Sequence, residues 1–177
     1  MHKKLAVRFQ DLEHSRQALL VLTEGYSQQQ LLFNPTDNQW SMAQVMKHLV
    51  MTETQILQYV LRRVEKGNLH QATYKSWVRY ILVKLALRYR KKIKAPKQVE
   101  APPKVLNPIQ VREEWEQLRK QWATMLEKMP TDVINKNVFR HPLAGDMSIS
   151  HTLGFMNEHV RHHIAQIQRI RQDTNWR

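Results

Sequence analysis

Leu153-Gly154-Phe155-Met156-Asn157-Glu158-His159-Val160-Arg161-His162-His163-Ile164-Ala165-Gln166-Ile167 spaces its apolar side chains as a helix does. Leu153, Met156, Val160, Ile167 and Ile170 form one stripe, and His163 falls within it. His159, three residues after Met156, flanks the same row. His162 falls with Phe155, Gln166 and Arg169 toward the polar side. His159 and His163 stand four residues apart, so this phase turns both inward together.

The same period recurs upstream. Leu5, Phe9, Leu12, Leu19 and Leu22 mark a first helix ending near Gly25, followed by a polar stretch from Ser27 to Gln39. Trp40-Ser41 opens a second helix with Ser41 as N-cap. Its stripe is Val45, Leu49, Thr52, Ile56 and Val60, and Gly67-Asn68 closes it. Residues 71–94 read as a further helical stretch with Tyr74, Trp77, Ile81, Leu85 and Tyr89 on one side. Residues 95–108 contain Pro96, Pro102, Pro103 and Pro108 and read as an internal linker. Val111, Trp115, Leu118, Trp122 and Leu126 define a helix from about Ile109 to Met129, with both tryptophans expected in the core. A loop through His141-Pro142-Leu143-Ala144-Gly145 then leads to the last helix, starting near Ser148. No alternating strand pattern stands out. The expected fold is all-α: residues 1–177 form one domain, a four-helix bundle with an additional basic helical segment between the second and third core helices.

Composition removes several function classes. The chain of 177 residues has no cysteine, which excludes disulfides, thiolate zinc sites and a cysteine nucleophile. Its four glycines lie too far apart for a dinucleotide fingerprint or a phosphate-binding loop. Met1-His2-Lys3-Lys4 is not followed by an apolar run, and nothing approaches the roughly 20 apolar residues of a membrane span. A soluble cytoplasmic protein is expected.

His48, three residues after Val45 and beside the Leu49 and Thr52 row, supplies a third inward imidazole. Three histidines from two helices can hold a metal on one face and leave other positions open, the layout of a catalytic rather than a closed structural site. Neutral imidazole suits zinc, nickel, copper or iron by type. Histidine pairs four residues apart also arise by chance on basic helices, so the pattern alone leaves metal binding open.

Trp40-Ser41-Met42-Ala43-Gln44-Val45-Met46-Lys47-His48-Leu49 resembles the Trp-Ser…His-Leu signature of the DinB-like superfamily, which includes the YfiT-type hydrolases and bacterial thiol transferases. His141 to Gly145 and His159 to Ile167 are similar to the closing pattern of that family. The resemblance runs from the first helix to Ile170. It implies a four-helix bundle with a metal site formed by His48, His159 and His163, and a divalent cofactor, zinc or nickel. It also implies a small-molecule substrate and a homodimer. The ion would activate water, as in a hydrolase, or a low-molecular-weight thiol such as bacillithiol, mycothiol or glutathione, as in an S-transferase. The alternative is a metal-free binding module whose basic helix meets an anionic partner.

No general base is assigned. Glu53 lies about 140° around the helix from His48, and Glu158 points sideways beside His159. Both read as solvated carboxylates. Trp40 is expected under the start of its helix, shaping the pocket, and His141 is expected to cap its loop. Residues 75–104 hold ten lysines and arginines against Glu100 alone, interleaved with Trp77, Tyr80 and Tyr89. That pattern suits nucleic acid or an anionic membrane surface. A solvated helix that confers solubility is the favoured reading.

Overall fold

Ser41 starts the helix that carries His48 by a reciprocal cap. Its hydroxyl accepts from the Gln44 amide at 3.2 Å, and the Gln44 side chain accepts from the Ser41 amide at 3.0 Å. Gly67 ends that helix in the left-handed conformation, with φ of 69°, and donates its amide to the Val64 carbonyl. Both boundaries fall where the sequence places them. The computed structural model of the chain describes residues 1–89 and 101–172.

In chain order the elements are α1 (Lys3–Leu22), α2 (Gln28–Leu32), α3 (Met42–Lys66), α4 (Tyr74–Arg88) and α5 (Pro108–Glu127). A 3-10 turn (Thr131–Val133), β1 (Asn137–His141), β2 (Gly145–Ser148) and α6 (Ile149–Gln172) follow. The long helices α1, α3, α5 and α6 close a ring, with α1 on α6, α6 on α3, α3 on α5 and α5 on α1. This is the expected four-helix bundle, with α4 added between the second and third core helices. Trp115 and Trp122 lie fully buried among Leu5, Leu12, Leu19 and Leu49, as their spacing predicts.

Three features depart from the sequence reading. The polar stretch holds a short helix, α2, capped reciprocally by Ser27 and Gln30. The loop before the last helix is the turn of an antiparallel hairpin, pairing His141 with Gly145 and Arg140 with Asp146. Its strands have five and four residues and an irregular register between Asn137 and Phe139, so little alternation survives in the sequence. Third, α4 packs on α6 and β2 through Ser76, Tyr80 and Val83. The row Tyr74, Trp77 and Leu85, regular as it is, faces outward. Gly154 lets Tyr80 approach α6, since a Cβ there would collide with the Tyr80 hydroxyl. Residues 90–94 of the expected helix and 95–100 of the expected linker lie outside the described residues.

Candidate metal centre

Two neighbours of α3 explain the distribution of its polar side chains. Toward α6 it presents His48, which is 7% exposed. Toward α5 it presents Glu53, which is 1% exposed and corrects the expectation of a solvated carboxylate. Glu53 accepts from Arg119 Nη2 at 3.0 Å and from Trp115 Nε1 at 3.1 Å. A rotation of about 140° is what a helix enclosed on two sides requires. Burial pushes the Glu53 carboxyl up, against the lowering effects of Arg119 and Trp115. Glu158 is buried too, with Lys84 of α4 at 3.5 Å. Neither glutamate joins the histidines.

His48, His159 and His163 converge. His159 Nε2 lies 3.4 Å from His48 Nε2 and 3.1 Å from His163 Nε2. One ring nitrogen from each of the three falls within 4.8 Å of the others. In an ideal tetrahedron, metal–nitrogen bonds of about 2.0–2.1 Å require nitrogens about 3.3–3.4 Å apart. The two separations that involve His159 thus lie near that value, and the cluster is tight enough for one ion. His163 Nδ1 lies 2.8 Å from Gln166 Oε1 and donates to it, so the neutral ring presents a bare Nε2 to the cluster.

Electrostatics favour the ligand form. Burial lowers His48 to about 4 and His163 to about 3. It also holds His159 well below the usual value, with His163 and His48 adding to the effect. Neutral imidazoles are the state a cation needs.

The walls are aromatic. Trp40 packs on His48 with ring centroids 4.9 Å apart, and Phe155 stacks on His159 at 5.7 Å. Phase alone puts Phe155 on the polar side of α6, yet it is buried, because the hairpin covers that side and His141 meets its ring at 4.5 Å. His141 caps the turn as expected, its Nδ1 accepting from the amides of Leu143 at 3.1 Å and Ala144 at 3.0 Å. Burial lowers His141 to about 4. His162 stays out of the cluster, 3.1 Å from the Leu87 carbonyl at the end of α4. Gln166 escapes the sequence reading, although its place three residues after His163 is within reach of that ring.

The DinB superfamily model matches residues 11–167. The chain belongs to the DinB superfamily. Among its DinB-like relatives, the protein YuaE of Bacillus subtilis, described as uncharacterized, is 20% identical over 149 residues. That match covers 84% of this chain and 88% of YuaE. A Bacillus cereus protein named "Putative metal-dependent hydrolase" is 33% identical over 102 residues, 55% of this chain and 58% of that protein. The chain therefore matches little more than half the length of its hydrolase-named relative. The solved structure of YfiT from Bacillus subtilis, described as a probable metal-dependent hydrolase with an unusual four-helix bundle topology, superposes with a TM-score of 0.59 at 20% identity. It covers all of this chain and 91% of YfiT. At that identity the likeness establishes a shared DinB-type fold. No helix among the described residues is long and apolar enough to cross a membrane.

Proposed function

We propose that this DinB protein is a metal-dependent enzyme in which His48, His159 and His163 hold one divalent ion, zinc or nickel. The convergence of three neutral imidazoles, with two of the nitrogen separations near the tetrahedral value, carries this reading. Hydrolase names among the relatives support it. When bound, such an ion supplies acidity, bringing a coordinated water toward a pKa near 7 and deprotonating a coordinated thiol outright.

The protein's own part is to present and orient. His48 and His163 are packed inside the bundle, while His159 keeps an accessible edge. On this reading a small substrate reaches the ion along that edge. Trp40 and Phe155 flank the cluster with apolar surface and limit water around the reacting group. Gln166 fixes the His163 tautomer. Among the described residues no carboxylate joins the three imidazoles. Coordination acidifies a low-molecular-weight thiol as well as a water, so S-transfer to an electrophile is the finer reading that stands beside hydrolysis.

Metal content measured by plasma mass spectrometry on tag-free protein tests the proposal. About one equivalent of zinc or nickel is expected in the wild type, and none in His159→Ala or His163→Ala. Metal-free protein after reconstitution, or metal retained in both variants, overturns it. Gln166→Leu keeps all three ligands but removes the hydrogen bond to His163 Nδ1. A loss of about 10–100-fold in metal affinity is expected from chelator competition.

A further inference from the structure

The outward face of α4 has the composition of a buried one. Tyr74, Trp77, Leu82, Leu85 and Tyr89 are 76%, 46%, 60%, 40% and 73% exposed. Val78 and Ile81 fall between them and are half-buried. On an ideal helix these seven side chains fill an arc of about 140°. The opposite face, Ser76, Tyr80 and Val83, is the one already packed on the bundle. Burial of the helix against the protein accounts in part for Val78 and Ile81 and for none of the five exposed side chains. Tyr74 and Trp77 stack on each other, ring centroids 5.6 Å apart, so the aromatic end of the face is already ordered.

The rim of this arc is basic. Lys75 and Arg79 border it on one side and Lys84 on the other, Arg88 falls beside Trp77 at the end of the helix, and no acidic residue occurs from Tyr74 to Tyr89. Lys84 is drawn toward Glu158 at 3.5 Å, whereas Lys75, Arg79 and Arg88 are exposed. Lys4 and Arg8 of α1 are near enough to His151, beneath α4, to lower its pKa, so the surrounding potential is positive as well.

We infer that α4 is a membrane-surface helix that lies in the headgroup region of an anionic lipid bilayer. An apolar arc carrying Trp, Tyr and Leu between Lys and Arg flanks is the arrangement that partitions there, the apolar face entering about 5–10 Å. Charge separates this occupant from a second copy of the chain. A two-fold contact through α4 would bring two basic helices together with no acid from Tyr74 to Tyr89 on either to offset them. Apolar content separates it from nucleic acid, because phosphates would satisfy the arginines and leave Val78, Ile81, Leu82 and Leu85 in water. The inference is independent of the metal.

Sedimentation of the full chain with vesicles tests it, comparing phosphatidylcholine alone with phosphatidylcholine containing phosphatidylglycerol. Binding to the anionic vesicles is expected, about tenfold or more above the neutral ones, with a blue shift in tryptophan emission that Trp77→Phe removes. Arg79→Gln and Arg88→Gln should each weaken binding about fivefold. Leu82→Gln with Leu85→Gln, both exposed and tolerable to the fold, should abolish it while thermal unfolding stays unchanged. Equal binding to both vesicle types, or binding that survives the leucine substitutions, overturns the inference. A dimer in sedimentation equilibrium that the leucine pair dissociates also overturns it. So does displacement of the protein from vesicles by single-stranded oligonucleotide with no loss of oligonucleotide affinity in the leucine variant.

Discussion

Glu53→Ala should cost about 3–5 kcal/mol of folding stability, because it leaves Arg119 buried with only the longer contact to Glu13. Arg119 is 4% exposed and has Glu53 Oε1 at 3.0 Å. Its other carboxylate neighbour is Glu13, whose Oε2 is 3.5 Å away while its Oε1 serves Arg16, which also meets Glu116 at 2.9 Å. At 3.5 Å that contact is longer than the hydrogen bond Glu53 supplies, so it replaces Glu53 only in part. With total stabilities of about 5–15 kcal/mol, a loss of that size leaves the variant near the edge of folding. Replacing both partners by methionine removes the two buried charges together and should restore most of the loss. Urea unfolding followed by circular dichroism measures both. A cost of less than about 1 kcal/mol for Glu53→Ala would show that Arg119 finds another partner or reaches solvent. The pair lies on the α5 side of α3 and the histidines on the α6 side. Metal content of the folded fraction should therefore not change.

Legible and hidden features of this sequence have separate physical causes. Helical phase brings His48, His159 and His163 together because each lies on or beside a stripe facing the bundle axis, and one stripe implies one neighbour. Glu53 is misread for the converse reason. Helix α3 is enclosed by both α6 and α5, and a carboxylate directed at α5 falls outside the stripe that α6 covers, where phase assigns it to solvent. Phe155 shows the same effect on α6, where the hairpin covers a side that phase leaves open. The hairpin itself is illegible because its strands are short and its register breaks after Asn137. On α4 the regular apolar row is real but faces outward, since Tyr80 is what the close approach at Gly154 accommodates. Periodicity identifies a face without identifying what covers it.

The second large effect is acid sensitivity of the metal-free protein. His48, His141 and His163 sit at about 4, 4 and 3 in the folded chain, all lowered mainly by burial, against about 6.5 when unfolded. Above pH 6.5 each is neutral in both states and contributes no pH dependence. Below it the unfolded chain takes up protons that the folded chain refuses, and stability falls as pH drops toward 4 and then 3. The slope is about 1.4 kcal/mol per pH unit for each group, so three of them remove about 6 kcal/mol by pH 5. That equals the whole stability of many domains. The surroundings offer no relief: His48 faces His159 and His163, and His163 faces His48, His162 and Arg169 as well as the neutral Gln166. Protonating His141 on Nδ1 would also break both amide hydrogen bonds of its turn. Chelator-treated protein should therefore unfold cooperatively near about pH 5 in a circular dichroism titration. Metal-loaded protein should hold to lower pH, since a ligated imidazole has no free lone pair for a proton and the bound ion stabilises only the folded state. His141→Asn keeps an acceptor for the turn amides but removes one titrating ring. It should shift the transition of the metal-free protein downward without affecting metal content. Coincident acid transitions with and without metal would mean that the imidazoles are not its ligands.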